Sequence, residues 1–159
     1  MLSPSVVTIE ALRALPFFAG VPDEVLRQLL PDAEERTFDR GDYIVRQHDE
    51  ALHFFLLLSG AVQFLIRFEG VDDFLVGTTS EVGAPIGWSA FRLPHRYTAS
   101  VRCEAPSRAL RLPRRSFDEI GERDPHLGYA FLKRVASTLA NRLEQARDML
   151  VTSSGGAAR

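Results

Sequence analysis

Hydrophobic residues recur at helical spacing over the first thirty residues of the chain. The residues that carry this spacing are Leu12, Leu15, Leu26, Leu29 and Leu30. Such a period is typical of amphipathic helices and not of strands. Pro16 and the stretch "AGVPDE" interrupt it, and Asp23 followed by Glu24 is typical of a helix start. We therefore predict helices within residues 5–32.

The hydrophobic period changes to two within residues 33–113. One alternating segment consists of Val62, Phe64, Ile66 and Phe68, and another of Tyr97, Ala99, Val101 and Cys103. Alternation of this kind predicts half-buried strands. The stretch "HFFLLL" has no polar alternation, which predicts a strand buried on both faces. Short strands separated by turn residues favour a mainly β body, a sandwich or a barrel-like roll.

Helical spacing returns at Arg114, with a short segment to Ile120 and a long one from about Pro125 to Leu150. Asp124 and Pro125 form a favourable N-cap and first-turn pair. Two interleaved series with seven-residue spacing run along the long segment: Leu132, Ala136, Leu139, Leu143, Ala146 and Leu150. This pattern fits either a helix packed on its own sheet or a weak coiled coil in a homodimer. Both arrangements are compatible with different parts of the helix.

Length and composition indicate one soluble globular domain. The chain has 159 residues, of which 45% are hydrophobic and 25% charged, values that suit a packed core. We predict a single domain over residues 1–151, with residues 114–151 forming its C-terminal helices. The small, polar segment 152–159 is predicted to be a disordered tail.

Charge and cysteine content narrow the classes of function. A net charge of −2 gives no overall field that attracts nucleic acid or an anionic membrane. The lone Cys103 cannot form an internal disulfide or supply a zinc or iron–sulfur site by itself. The N-terminus lacks the features of a signal peptide, and no apolar run is long enough to cross a membrane. We therefore expect a cytoplasmic protein that does not bind membranes.

Four sequence motifs, in order and spacing, resemble the cyclic nucleotide-binding domain family. They are "LRALPFFAGVPDEVLRQL", "FDRGDYIV", "FFLLLSGAVQ" and "GAPIGW". The family comprises sensor domains of the catabolite-activator type and of the regulatory subunits of cyclic-AMP-dependent kinase. The resemblance implies a jelly-roll β-roll over residues 33–113, flanked by N-terminal helices and a long C-terminal helix. It also implies a phosphate-binding cassette at residues 83–101 and cyclic AMP or cyclic GMP as ligand.

The cassette contains residue types that suit a cyclic phosphate. Gly87 allows the backbone to approach the ligand closely, and a short helix over Trp88, Ser89 and Ala90 would offer backbone N–H groups to the anion. Arg96 is the candidate for paired, charge-assisted hydrogen bonds to the phosphate. We also assign Tyr97 and Thr98 to the candidate ligand site.

Two features depart from the family pattern. Trp88 stands where the family has a glutamate that accepts a hydrogen bond from the ribose 2′-hydroxyl, and an indole only donates. Trp88 would then stack on the base or ribose, or fill the pocket, and Ser89 would be a weak acceptor. In "RYTASV" there is one residue more than the family has between Arg96 and Val101. Either a bulge restores Arg96 to the pocket, which we favour, or Tyr97 points inward instead.

Other candidate residues have structural explanations. His48 occupies a turn position where the family usually has glycine, and histidine tolerates a positive φ better than most residues. The remaining histidines are scattered, so neither a metal site nor a cofactor is predicted. Cys103 lies on an alternating apolar face and is expected in the core. Arg111, Arg114 and Arg115 form a small basic cluster that is typical of a solvated face.

The sequence favours a non-enzymatic regulatory sensor. No catalytic constellation has a recognisable local signature, and the chain after Leu150 is too short for a helix-turn-helix domain, so we expect no DNA binding by this chain alone. We predict that ligand in the cassette repositions the C-terminal helix, which signals to a dimer mate or a protein effector. A ligand-free interaction or dimerisation module with the same fold is the alternative.

Overall fold

The structure is a computed structural model that describes residues 6–155. Residue 5 of the predicted helical segment and residues 156–159 of the predicted tail lie outside the described residues. The helices are α1 (Ile9–Arg13), α2 (Asp23–Leu29), α3 (Arg114–Arg123) and α4 (Pro125–Gly155). Short 3-10 helices cover Pro16–Phe18, Leu30–Asp32 and Trp88–Phe91. The helical segments at both ends of the chain therefore match the predicted arrangement.

The middle of the described chain forms two four-stranded antiparallel sheets. Their strands are β1 (Glu34–Phe38), β2 (Tyr43–Val45), β3 (His53–Ser59), β4 (Val62–Phe68), β5 (Val71–Thr79), β6 (Pro85–Ile86), β7 (Ser100–Cys103) and β8 (Ser107–Pro113). One sheet has the order β1-β8-β3-β6 and the other β2-β7-β4-β5. Neighbours distant in sequence pair in both sheets, as in a jelly roll. This confirms the predicted jelly-roll β-roll with flanking helices.

The hydrophobic core extends from between the sheets to the helices beside them. Phe54 to Leu57 of β3 are buried, which confirms the prediction for "HFFLLL". A cluster of aromatic rings joins β3 to the helices: Phe117 lies 5.7 Å from Phe54 and 5.4 Å from Phe131, measured between ring centroids. The start of α4 therefore packs on the same core as the β-roll.

Strand β4 departs from the predicted alternation. Its pairing with β5 shifts register between Phe64 and Leu65, where β5 contains an extra residue. Leu65 is buried, whereas Phe68, the last residue of the strand, is 60% exposed. The prediction that Phe68 lies on the buried face was therefore wrong.

Helix α4 is held at its first turns and exposed beyond them. The Asp124 side chain caps the helix by accepting a 3.2 Å hydrogen bond from the Leu127 N–H, as its predicted N-cap role requires. Phe131 and Val135 are buried, and Arg134 donates to the backbone carbonyls of Phe17 and Ala19. Residues 143–155 are exposed throughout. The helix thus has a docked half and a solvent-facing half.

The C-terminal end of α4 lies further along the chain than predicted. Residues 152–155 continue the helix, so the prediction of a disordered tail from residue 152 was wrong for these four residues. The hydroxyls of Thr152 and Ser153 each donate a 3.0 Å hydrogen bond to a carbonyl of the preceding turn. These hydrogen bonds allow the two hydroxyls to be satisfied inside a helix. Small polar residues without such bonds tend to favour turns.

Candidate functional site

A cleft lies between the second sheet and the 3-10 helix Trp88–Phe91, which we call the cassette helix. The residues that line the cleft are Val45, Phe64, Gly87, Trp88, Ser89, Tyr97, Thr98, Ala99, Val101 and Arg142. It encloses about 250 Å³ including its open mouth. Sites for small molecules typically measure about 300–1,000 Å³, so the cleft is small for such a ligand with all its side chains in place.

Gly87 sets the course of the backbone into the cassette helix. Its φ of 83° and ψ of 35° lie in the left-handed region, where glycine is unstrained because it has no Cβ. A Cβ at this position would lie 3.1 Å from both the His53 carbonyl oxygen and Cε1 of Tyr97. A side chain at position 87 would therefore crowd β3 and the Tyr97 ring, and the close approach of the Gly87 backbone to a ligand stays a prediction.

The cassette helix presents one buried and one partly exposed face. Ser89 and Ala90 are buried, and the Phe91 ring packs edge-on against Phe54 with 5.0 Å between centroids. Trp88 lines the cleft and is partly buried, with the Arg92 guanidinium 5.8 Å from its ring centre. The Ala90 N–H donates a 3.0 Å hydrogen bond to the Gly87 carbonyl at the start of the helix. The cassette helix is therefore docked on the core while its beginning borders the cleft.

Tyr97, not Arg96, points into the cleft. The Tyr97 side chain is 6% exposed, and its hydroxyl donates a 2.8 Å hydrogen bond to the His53 carbonyl. Burial raises the pKa of the Tyr97 phenol above its usual value. Arg96 is exposed and donates a 2.8 Å hydrogen bond to the His48 carbonyl. The favoured placement of Arg96 in the pocket was wrong, and the alternative arrangement is the one observed.

The physical reason lies in how the extra residue of "RYTASV" is accommodated. Strand β7 begins only at Ser100, so the prediction of a strand from Tyr97 was also wrong. Before it, Arg96 forms an isolated bridge with Glu50, and the backbone of Tyr97 exchanges hydrogen bonds with that of His48 and Asp49. The additional residue is absorbed between this bridge and β7. Arg96 therefore stays on the outer face of the chain.

Arg142, which sequence reasoning did not single out, enters the cleft from α4. One of its terminal nitrogens donates to the Pro85 carbonyl, and its guanidinium carbon lies 4.5 Å from the Phe64 ring centre. Burial lowers the pKa of this guanidinium from its usual value. No local sequence signal marks the residue, because an arginine in a helical, heptad-like segment is typical of a solvated position.

The charge of the cleft is positive. Among its lining residues, all within the described part of the chain, Arg142 is the one that carries a formal charge. Neither an aspartate nor a glutamate lines it, and Trp88 occupies the position of the family's glutamate. Ser89 and Thr98 contribute aliphatic hydroxyl groups, and the Tyr97 hydroxyl is bonded to the His53 carbonyl. This arrangement can attract an anion but offers no carboxylate to a sugar hydroxyl.

His48 and Cys103, which were also candidates in the sequence, occupy structural positions. His48 has a φ of 75°, as predicted for its turn position. Cys103 is 1% exposed, and burial raises the pKa of its thiol. Within residues 6–155, no group of three or more His, Cys, Asp or Glu side chains is placed to hold a metal ion.

The predicted basic cluster is neutralised by carboxylates. Arg111 pairs with Glu34, Arg115 with Asp32 at 3.2 Å and Arg114 with Asp118 at 3.8 Å. Each arginine therefore has an acidic partner on the protein; Arg115 is exposed as expected, whereas Arg111 and Arg114 are partly buried. None of the helices in the described part of the chain combines the length and the apolar character needed to span a membrane.

Comparisons with known proteins agree with this architecture. Residues 35–124 match the family described as "Cyclic nucleotide-binding domain". The potassium channel AKT1 of Oryza sativa subsp. indica is 30% identical over 101 residues, which are 63% of this chain and 10% of the channel. The cGMP-dependent protein kinase 2 of Homo sapiens is 30% identical over 79 residues, 50% of this chain and 10% of the kinase. The matched region is thus about a tenth of each of these relatives.

A solved structure extends the similarity over most of the fold. A crystal structure of a protein from Geobacter metallireducens GS-15 superposes with a TM-score of 0.77 and 29% sequence identity. The superposition covers 86% of this chain and 98% of the other.

Proposed function

The chain belongs to the cyclic nucleotide-binding domain family, and on that premise we propose that it is a non-enzymatic sensor that binds a cyclic nucleotide, or a related anionic ligand, in the cleft. The observation that carries the proposal is the guanidinium of Arg142, which lines the cleft with no carboxylate of the described residues in salt-bridge contact. Taking a charge out of water is unfavourable unless it is paired. An anionic ligand supplies that pair.

The walls of the cleft suit the remaining parts of a nucleotide. We propose that the cyclic phosphate lies against Gly87 and the Ser89 N–H group at the start of the cassette helix, beside Ala90, whose own N–H donates a 3.0 Å hydrogen bond to the Gly87 carbonyl. Trp88 and Tyr97 offer aromatic surfaces, on which a base or ribose stacks. Ser89 and Thr98 are the hydroxyl acceptors for the ribose. Arg96 remains a candidate for the phosphate only if the segment that contains it rearranges on binding.

We propose α4 as the element that relays the ligand signal. Five of the six heptad positions are exposed, and the remaining one packs against the core. The exposed positions are Leu132, Ala136, Leu143, Ala146 and Leu150, and the packed one is Leu139. An exposed apolar stripe on a helix favours pairing with a second helix. A homodimer or a protein effector that binds this stripe would sense a movement of α4.

The proposal places the protein in the cytoplasm, where the buried, unpaired Cys103 is compatible with a reducing environment.

Calorimetric titration tests the proposed ligand class. Cyclic AMP and cyclic GMP are titrated into the purified protein, with 5′-AMP and adenosine as matched compounds that alter or remove the phosphate. We expect micromolar binding of at least one cyclic nucleotide and weaker binding of adenosine, because adenosine cannot pair with the cation in the cleft. Absence of heat from both cyclic nucleotides, with protein that is folded by circular dichroism, would contradict the proposal.

A further inference from the structure

We propose that Arg142 is the specificity-determining cation of the cleft, the residue that pairs with the ligand's phosphate and so couples the ligand to α4. This inference rests on the proposed function and assigns to α4 the role that the family pattern gives to an arginine of the cassette. We base the assignment of Arg142 on the positions of three side chains, those of Arg142, Arg134 and Arg96.

The contacts of Arg142 leave most of its hydrogen-bonding capacity unused within the described chain. A guanidinium has five N–H donors, and one carbonyl, that of Pro85, accepts from it. The face of Phe64 provides a cation–π contact but no acceptor for an in-plane N–H group. The remaining donors are therefore available to a planar or tetrahedral anion in the cleft.

Arg134, on the same helix, is an arginine whose hydrogen bonds have a structural role. It donates to two backbone carbonyls, those of Phe17 and Ala19, and ties α4 to the N-terminal helical segment. It does not line the cleft. Arg142 has fewer protein acceptors than Arg134 and faces the cleft, so a role as a structural tie alone leaves its position unexplained.

The anion that we infer for Arg142 is a phosphate ester. The Pro85 carbonyl that it reaches belongs to β6, just before Gly87 and the cassette helix. Arg142 and Ser89 line the same cleft, so an anion that accepts from Arg142 is expected near the start of the cassette helix. Tetrahedral phosphate oxygens accept from two directions at once, and paired contacts with arginine are among the stronger hydrogen bonds in proteins.

Arg142 also marks the boundary between the docked and the exposed halves of α4. It is partly buried, and every residue from 143 to 155 is exposed. A ligand that accepts from the remaining donors of Arg142 adds a contact at this boundary and changes how the exposed half is held. The Arg142 side chain then links the charge of the ligand to the position of α4. Such a link would allow the ligand to shift the equilibrium between two positions of the helix.

Charge-removing variants test the assignment. Arg142→Gln is compared with Arg147→Gln, an exposed arginine on the same helix, and with Arg96→Gln, the alternative phosphate partner. Each variant is titrated with cyclic AMP or cyclic GMP, whichever binds the wild type more tightly, and with the uncharged parent nucleoside. For Arg142→Gln we expect about a 10- to 100-fold loss of cyclic nucleotide affinity, because a charge-assisted hydrogen bond is lost, and little change for the nucleoside. Arg147→Gln should stay within about threefold of the wild type, as surface charges contribute little, whereas Arg96→Gln tests the competing assignment and should retain more affinity than Arg142→Gln.

The outcomes separate the inference from the proposed function. A wild type that binds no cyclic nucleotide overturns both. A wild type that binds, with affinity unchanged or increased in Arg142→Gln, overturns the inference alone and identifies Arg142 as a plug of the cleft. The inference is also overturned if Arg96→Gln loses affinity for the cyclic nucleotide and Arg142→Gln does not. If Arg142→Gln does not fold, Arg142→Lys replaces it: the charge remains but the planar fork is lost, and we expect severalfold weaker cyclic nucleotide binding with the nucleoside unaffected.

Discussion

The guanidinium carbon of Arg142 on α4 lies 4.5 Å from the ring centre of Phe64 on β4. This contact connects the C-terminal helix to the β-roll at the cleft, well beyond the buried start of the helix. A cation over an aromatic face is stabilised by about 0.5–2 kcal/mol, depending on its desolvation. The ring therefore offsets part of the cost of holding an arginine here in the ligand-free protein, yet leaves its N–H groups for a ligand.

The sugar of a bound nucleotide is expected to contribute little to affinity. No carboxylate lines the cleft in the described chain, and Trp88 cannot accept a hydrogen bond. A hydrogen bond to a neutral hydroxyl such as that of Ser89 is worth about 0.5–1.5 kcal/mol. We predict that cyclic AMP and 2′-deoxy cyclic AMP differ by less than about tenfold in calorimetric dissociation constant.

The Trp88→Glu variant is the matched comparison for this prediction. It restores a carboxylate acceptor at the position where the family has one, and should raise the preference for the 2′-hydroxyl above that of the wild type. Discrimination greater than about 100-fold by the wild type would show that another acceptor serves the ribose, and would contradict our account.

Gly87→Ala should lower the free energy of unfolding more than the same substitution at a glycine whose added Cβ would have no close neighbours. Gly41→Ala is the control, because Gly41 has a φ of 91° and no atom within 4 Å of the point that a Cβ would occupy. Both variants lose about 1–2 kcal/mol to a left-handed backbone. Gly87→Ala alone must also displace the Tyr97 ring or the His53 carbonyl, each 3.1 Å from the new Cβ. Urea unfolding curves measure the difference, and equal losses would contradict the close packing described for the cleft.

Stability is expected to fall on acidification because of His53. Its pKa is lowered in the folded protein, first by burial and then by the positive charge of Arg111, while Glu34 acts in the opposite direction. Below the unfolded value of about 6.5, the unfolded chain binds more protons than the folded chain. His53 therefore favours folding above that pH, and the contribution is lost as pH falls through the folded pKa.

Urea unfolding between about pH 7.5 and pH 5 measures this effect in the wild type and in His53→Gln. The free energy of unfolding of the wild type should decrease more steeply with acidification than that of the variant. The other titrating groups are common to both proteins, so parallel curves would mean that His53 does not contribute.

The exposed apolar stripe of α4 should form a dimer interface. Charged residues introduced into this stripe should weaken the dimer. Leu143 is 59% exposed and Leu150 is 68% exposed. Replacing both with glutamate buries charges in any helix–helix interface, which is costly, and should raise the dissociation constant of the dimer at least about tenfold. Sedimentation velocity measures the change. The variant Asn141→Asp with Gln145→Glu adds the same charge at other helix positions and should leave the dimer intact.

Two results would contradict the dimer proposal. One is a wild-type protein that sediments as a monomer at all accessible concentrations. The other is a double glutamate variant that sediments as the wild type does.

The fold was predictable from the sequence because its signals are local and repeated. Turn residues separate short strands, and helical spacing brackets them, as in Asp124 and Pro125 at the start of α4. The unalternating "HFFLLL" correctly indicated a strand buried on both faces. Strand register was harder: Phe68 at the end of β4 is exposed, and the register shifts between β4 and β5 depend on a partner strand that the local pattern does not specify.

The cleft was predictable only in part. Gly87 and Trp88 follow from the cassette motif, and both line the cleft. The extra residue in "RYTASV" left two arrangements open, and hydrogen bonds to the distant His48 and Asp49 select the one with Tyr97 inside. Arg142 was not predictable, since its place in the cleft depends on how α4 packs across the β-roll, more than fifty residues from its partner Pro85.

A titration followed by amide NMR spectra tests the central claim most directly, that an anionic nucleotide occupies the cleft and engages α4. Cyclic AMP is added to uniformly ¹⁵N-labelled protein, with cyclic GMP in a parallel series. The account predicts saturable shifts for Gly87 to Ala90, for Tyr97 and Thr98, and for the residues around Arg142, with the outer strand β1 unchanged. Spectra that do not change at millimolar ligand, or shifts confined to residues outside the cleft and α4, would contradict it.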